Sequence, residues 1–178
     1  MRNLFNTKAL LILLVIVAVA CTSQREKDMK AISSLEKELE TEGARPDAEK
    51  LTKLLDSYIA FVDNNKTDSG ASNYLYKAMN LCIGVNNGQK AMQLTDRMLN
   101  EYPKSTYIPE AVFLKAYIYE NLLNELGQAS KVYNDFLKKY PTHDLADDAE
   151  AALKYLGKSP EEMVKEFEER AATQASTK

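Results

Sequence analysis

The stretch from Asn73 to Pro141 contains one pattern of residues twice, 38 residues apart. At this single offset the matched pairs are Leu75 and Phe113, Lys77-Ala78 and Lys115-Ala116, Leu81 and Tyr119, Ala91 and Ala129, and the segments Leu99–Pro103 and Leu137–Pro141. A fixed period of about 20–50 residues indicates a repeat architecture, in which one supersecondary unit stacks on its neighbours. The sequence therefore predicts at least two similar units in this stretch.

Each copy carries two apolar stripes at helical spacing, which predicts two packed helices per copy. The stripes are Leu75, Ala78, Met79 and Cys82, then Ala91, Leu94, Met98 and Leu99; the second copy has Phe113, Ala116, Tyr117 and Ile118, then Ala129, Val132, Tyr133, Phe136 and Leu137. We expect the recurring alanines to be buried, because helices that approach closely need a small side chain between them. Pro103 and Pro141 should end the second helices, since proline lacks an N–H and clashes with the preceding turn.

This pattern resembles the tetratricopeptide repeat. In that family a small residue of the second helix lies twelve positions before a terminal proline, as Ala91 lies before Pro103 and Ala129 before Pro141. The chain departs from the family in its longer period, since the family repeat has about 34 residues, and in Val112, where the family has an aromatic residue. The longer period is similar to that of the Tol-Pal-associated periplasmic protein and the barrel-assembly lipoprotein, and the ending at 157–162 is similar to short tetratricopeptide lipoproteins of Bacteroidetes.

The predicted fold is all-α, a tetratricopeptide-like solenoid of helical hairpins with about eight helices. The predicted helical domain covers 29–172, with full repeats at about 72–103 and 107–141 and a disordered tail at 173–178. A pair of helices, one with Met29, Ile32, Leu35 and Leu39 and one over 47–62, should cap the first repeat. A helix from near Asp144 to Gly157 should follow the second repeat. The last helix should begin with a capping box, in which Ser159 pairs with Glu162.

Residues 1–20 are predicted to be a lipoprotein signal peptide. Arg2 and Lys8 precede a 12-residue apolar run, Ala9–Ala20, which is shorter than the roughly 20 residues of a membrane span. The ending Ala18–Cys21 resembles a lipobox, which implies that Cys21 is acylated and that 21–28 form a polar tether. A signal cleaved without lipid and an uncleaved anchor are the alternatives. By the same resemblance, Thr22 after the cysteine implies the outer membrane, and the mixed charges of 24–28 favour its periplasmic side.

Composition argues against several functions. The net charge is −3 and no basic stripe is present, which excludes ordinary nucleic-acid binding. One histidine and two cysteines are too few for an ordinary zinc site. His143 lies beside Asp144, Asp147 and Asp148, but acids at a helix start are explained by the helix dipole. Cys82 lies on an apolar face, as a small buried residue would. We therefore predict no enzyme activity, no metal and no cofactor.

The resemblance implies a scaffold that binds another envelope protein and is attached to the membrane through its lipid. In the family, the first helices of successive repeats face the ligand, and this transfers to a partner-binding groove of Phe113, Tyr117, Glu120 and Asn121. The matching residues of the first copy, Leu75, Met79, Cys82 and Ile83, are apolar and are expected in the core. The alternative for Phe113 and Tyr117 is that they fill the space between repeats. The alternative function is binding of a small ligand or cell-wall glycan.

Overall fold

The computed structural model describes residues 24–42 and 46–175, and within them it contains eight helices and no strand. The all-α prediction is therefore confirmed. The helices are α1 (24–42), α2 (Ala48–Asn64), α3 (Ala71–Gly84), α4 (Gly88–Glu101), α5 (Ile108–Asn121), α6 (Leu126–Lys139), α7 (Ala146–Tyr155) and α8 (Pro160–Ala175). They form two compact units, one ending at Leu81 (unit 1) and one beginning at Cys82 (unit 2).

Side-chain caps begin α2 and α8, and prolines follow the ends of α4 and α6. Asp47 Oδ1 accepts the N–H of Glu49 at 2.7 Å and so begins α2. In the predicted capping box, Ser159 Oγ accepts the N–H of Glu162 at 3.2 Å, and Glu162 Oε2 accepts the N–H of Ser159 at 2.7 Å. α4 and α6 each end two residues before the predicted proline, at Glu101 and Lys139. These side chains pair backbone groups that a helix terminus leaves unpaired.

In unit 1, three helices meet at one carboxylate and one group of rings. Glu36 Oε1 of α1 accepts the hydroxyl of Tyr58 at 2.6 Å and lies 2.7 Å from Nζ of Lys77. The rings of Phe61 and Tyr74 lie 4.4 Å apart between α2 and α3. Fully buried apolar residues such as Phe61 and Ile32 surround these contacts. Burial of this apolar surface is the main favourable contribution to packing here.

In unit 2, α4 packs on α5, α5 on α6, and α6 on α7. One buried cluster joins α5, α6 and α7: its members are Ala116, Ala129, Tyr133, Phe136 and Ala149. The four recurring alanines, Ala78, Ala91, Ala116 and Ala129, are all 0% exposed, so their predicted burial is confirmed. Successive packing of each helix on the next is the arrangement expected of stacked helical hairpins.

A six-residue turn recurs three times, at 65–70, 102–107 and 140–145. In each copy the first N–H of the turn donates to a carbonyl four residues back, at 2.8–3.1 Å, on Phe61, Met98 or Phe136. In each copy a side chain at the fourth position accepts the N–H two residues later. These acceptors are Asp68 Oδ1 at 2.8 Å, Ser105 Oγ at 3.2 Å and His143 Nδ1 at 3.2 Å. The three different residues do one structural task, which sequence comparison alone does not reveal.

These turns identify α2 as a third copy of the second helix of the repeated hairpin, equivalent to α4 and α6. The sequence predicted α2 only as part of a pair of helices that caps the first repeat. Counting back from the turns, Phe61 corresponds to Met98 and Phe136, and all three are 0% exposed. Tyr58 corresponds in the same way to Tyr133. The sequence match was missed because Tyr58 and Phe61 lie 75 residues before their identical counterparts, with a different pair between them.

The same turns show that the offset between α3 and α5 is 37 residues and not the 38 of the sequence match. All hydrogen bonds of the second turn lie 37 residues after those of the first, whereas α6 begins 38 residues after α4. The extra residue lies between α5 and α6, where four residues connect the helices instead of three. Ala116 therefore corresponds to Met79 in backbone position and not, as the sequence match suggested, to Ala78. A sequence alignment at a single offset cannot show where this extra residue is inserted, because residues on both sides of it match the first copy.

The structure also differs from the sequence prediction at the two ends. The predicted tether at 21–28 is helical from residue 24, because Gln24 Nε2 donates to Asp28 Oδ1 at 2.8 Å and Arg25 Nε lies 2.5 Å from Asp68 Oδ2. α8 continues to Ala175, into the predicted tail. The predicted signal peptide at 1–20 and the lipidation site Cys21 lie outside the described residues.

Candidate interaction surface

Phe113 belongs to the packing of unit 2. It is half-buried and lies against the buried cluster. Its ring is 5.5 Å from that of Tyr133 and 5.8 Å from that of Phe136, both with edge-on geometry. Edge-to-face pairs of this kind add to the stabilisation from burial. Phe113 therefore contributes to the packing between α5 and α6.

Glu120 is held by a hydrogen bond that the sequence did not predict. The hydroxyl of Tyr133 on α6 donates to Glu120 Oε2 on α5 at 2.9 Å. Burial, followed by this hydrogen bond to the carboxylate, raises the pKa of Tyr133 well above its ordinary value. The contact fixes the carboxylate of Glu120, which remains half-exposed.

Tyr117 and Asn121 are the exposed members of the predicted groove. Tyr117 is 37% exposed and is one of few large apolar side chains with that much accessible surface among the described residues. Asn121 Nδ2 donates to the carbonyl of Tyr117 at 3.2 Å, one helical turn back. That bond orients the amide and leaves its carbonyl oxygen available as an acceptor. The last two turns of α5 thus carry an aromatic ring at Tyr117, a fixed carboxylate at Glu120 and an amide at Asn121.

The first-copy residues are placed as the sequence suggested, but their correspondence changes. Leu75, Met79 and Cys82 are fully buried and Ile83 is half-buried. With the register of 37, the α3 positions that correspond to Phe113 and Tyr117 are Tyr76 and Asn80. Sequence reasoning missed both, because it carried the offset of 38 into the first helices. The length of the connection after α5 was the signal that could have corrected it.

Tyr76 and Asn80 line a cleft of about 370 Å³ in unit 1, together with Leu54, Tyr58, Lys77 and Leu81. Its walls are mostly apolar. Its one charged group, the Lys77 ammonium, is paired with Glu36 and lies 5.8 Å from the ring centre of Tyr74. Burial alone would raise the pKa of Glu36, but the hydrogen bonds from Lys77 and Tyr58 outweigh it, so this pKa is lowered.

Neither His143 nor Cys82 belongs to a recognisable reactive cluster. Within residues 24–42 and 46–175, no group of three or more His, Cys, Asp or Glu residues is placed to hold a metal ion. His143 instead accepts the N–H of Leu145 through Nδ1. Cys82 is a buried free thiol, and burial raises its pKa, which disfavours the nucleophilic thiolate.

The chain matches no protein-family model and no curated protein. Inference about its role therefore depends on its fold and on the side chains described above. In the described part of the chain, no helix combines the length and the apolar character needed to cross a bilayer.

Proposed function

We propose that this protein is a lipid-anchored, tetratricopeptide-like scaffold of the bacterial cell envelope that binds a segment of another envelope protein without catalysing a reaction. The observation that carries the proposal is the repeated helical hairpin, in which α4 packs on α5, α5 on α6 and α6 on α7. Repeats of this kind give a continuous row of helices, whose exposed faces suit an extended or helical segment of a partner.

Within this scaffold we assign the partner contact to the C-terminal half of α5. Tyr117 is the anchor, because exposed aromatic rings supply large contact areas at low entropic cost and are frequent binding hot spots. Asn121 supplies an orienting amide, and Glu120 supplies a carboxylate that Tyr133 already holds in place. Phe113 packs against the buried cluster of unit 2 and is not itself exposed enough to be the main contact.

The partner contact is tested by affinity capture from solubilised membranes with a Tyr117→Ala/Asn121→Ala chain. We expect capture of the partner to fall at least tenfold while the thermal melt stays close to that of the parent. Asn134→Ala is the matched control, because Asn134 on α6 is also exposed and makes the same bond to a carbonyl one turn back, at 2.8 Å. Undiminished capture by the folded double variant would rule out this face. The Glu120→Ala/Asn121→Ala pair is less suitable, because it also removes the acceptor of Tyr133.

The membrane attachment is assigned to acyl chains on Cys21, and the location to the periplasmic side of the outer membrane. Each buried CH₂ of an acyl chain contributes roughly 0.8 kcal/mol to membrane binding, so two or three chains attach a protein firmly. Cys21→Ser should abolish fatty-acid labelling and move the protein out of the detergent phase. A variant that stays with the membrane would instead indicate an uncleaved N-terminal helix.

Binding of a small ligand or a cell-wall glycan is the second candidate, and the cleft in unit 1 favours it. The mostly apolar walls of the cleft suit an apolar group better than a sugar. Fluorescence titration with an apolar dye, comparing the parent with Leu81→Gln, tests this function. Saturable binding that the substitution abolishes would support it over the scaffold, and equal dye binding by both chains would exclude the cleft.

A further inference from the structure

We propose that the ion pair between Arg25 and Asp68 shortens the tether, the segment between the acylated Cys21 and the folded domain, to the few residues before Arg25. The short tether holds the turn at 65–70 at the phospholipid headgroups; this rests on the proposed lipid at Cys21. The partner of this surface is the bilayer that carries the anchor. A lipoprotein domain with a long polar tether would instead move freely above the membrane.

The first step of the argument is the geometry of the ion pair. Arg25 Nε lies 2.5 Å from Asp68 Oδ2, and a second guanidinium nitrogen lies 3.3 Å from Oδ1. This two-point contact joins residues 43 positions apart in the sequence. Because Asp68 Oδ1 also accepts the N–H of Gly70 at 2.8 Å, the carboxylate is fixed by the turn itself. The guanidinium therefore ties the first turn of α1 to a rigid point of unit 1.

The second step is the length of chain that remains. Arg25 lies four positions after Cys21 in the sequence. A fully extended chain spans at most about 3.3–3.6 Å per residue, so the two Cα atoms lie within about 14 Å of each other whatever the conformation between them. Each headgroup region of a bilayer is several Å thick. An acyl chain in the hydrocarbon core therefore leaves the turn at the level of the headgroups or directly above it.

The third step is the chemistry of the surface at this end. Lys66 in the turn and Lys27 in the first turn of α1 are exposed, as are the acids Glu26 and Asp63, while the charges of Arg25 and Asp68 largely neutralise each other. Exposed ammonium groups near a membrane surface are attracted to lipid phosphates. The exposed charges at this end therefore suit the polar surface of a bilayer.

The experiment measures energy transfer from a donor dye on unit 1 to an acceptor on the headgroups. The lipidated full chain carries Thr67→Cys, an exposed position of the same turn, labelled with the donor, in phosphatidylethanolamine–phosphatidylglycerol vesicles with a headgroup acceptor. Cys82 is 0% exposed and stays unlabelled in the folded chain. The reference chain has a flexible Gly/Ser linker of about 16 residues inserted between Ser23 and Gln24, which adds roughly 20–24 Å of mean reach.

We expect efficient transfer in the parent and at least a twofold lower efficiency with the inserted linker. Equal transfer in the two chains, with normal fatty-acid labelling, would refute the inference of a short tether while leaving the proposed anchor intact. Loss of fatty-acid labelling in the parent would refute the anchor and this inference together.

Asp68→Ser tests the ion pair itself. Serine at this position can still accept the N–H of Gly70, as Ser105 does for Tyr107 in the second turn, but it removes the partner of Arg25. We expect transfer between the values of the parent and the linker chain, because the first residues of α1 can then detach. Asp56→Ser, an exposed acid on α2, is the control and should leave transfer unchanged. Transfer in Asp68→Ser equal to that of the parent would show that the ion pair does not determine the length of the tether.

Discussion

Gly88→Ala should destabilise unit 2, although alanine is normally the better helix residue. Gly88 is buried at the first position of α4, against the C-terminal end of α5. A Cβ atom there would lie 2.7 Å from Cβ of Leu122, 3.1 Å from Cδ2 of Leu123 and 3.3 Å from the carbonyl oxygen of Leu122. The Cβ and the carbonyl cannot swing aside as the tip of a flexible side chain could. Either α4 or the end of α5 must therefore shift.

The expected magnitude follows from two opposing terms. Overpacking a close contact costs roughly 1–3 kcal/mol, while replacing glycine by alanine in a helix returns up to about 1 kcal/mol. The free energy of unfolding should therefore fall by about 1–2 kcal/mol. Gly127→Ala is the matched control, because Gly127 lies in the first turn of α6 and a Cβ there would meet nothing within 4 Å. That variant should be stabilised by roughly 0.5–1 kcal/mol.

Urea unfolding followed by circular dichroism measures the difference between the two variants. The denaturation midpoint of Gly88→Ala should fall below that of the parent, and that of Gly127→Ala should rise slightly, with unchanged slopes. The close approach of α4 to the end of α5 would be refuted if both substitutions raised the midpoint equally.

Four further substitutions, at three positions, test single contacts. Ala116→Leu should lower the free energy of unfolding by about 1–3 kcal/mol through overpacking, and an unchanged urea midpoint would contradict its burial among the helices. Tyr133→Phe removes the hydrogen bond to Glu120 and should cost about 0.5–1.5 kcal/mol. The pKa of Tyr133 is raised in the folded chain, while the unfolded chain releases the phenolic proton near pH about 10. Stability should therefore decrease as the pH rises above that value, and thermal melts of Tyr133→Phe should show a smaller decrease. At His143, serine should retain an acceptor for the N–H of Leu145 and alanine should not. Thermal melts should therefore rank His143→Ser above His143→Ala by about 0.5–1.5 kcal/mol; equal melting would show that this turn hydrogen bond contributes nothing.

The predicted groove shows what a helical pattern can and cannot specify. Phe113 and Tyr117 lie one helical turn apart, so their spacing places both on one face of α5. The structure covers Phe113 with rings of α6 and leaves Tyr117 37% exposed. That difference depends on the neighbouring helix, which the spacing does not encode. The bond between Glu120 and Tyr133 was not predicted for the same reason.

The presence of the helices, the capping box of Ser159 with Glu162 and the burial of Ala78, Ala91, Ala116 and Ala129 were determined by the sequence alone. These features depend on apolar periodicity and on residues within one or two helical turns, such as Asp47 at the start of α2. The register of 37 between α3 and α5 and the equivalence of α2 with α4 and α6 were decided only by the tertiary structure. So was the ion pair of Arg25 with Asp68, which joins residues 43 positions apart. Connection lengths and packing set such relationships, and no local pattern of residues contains them.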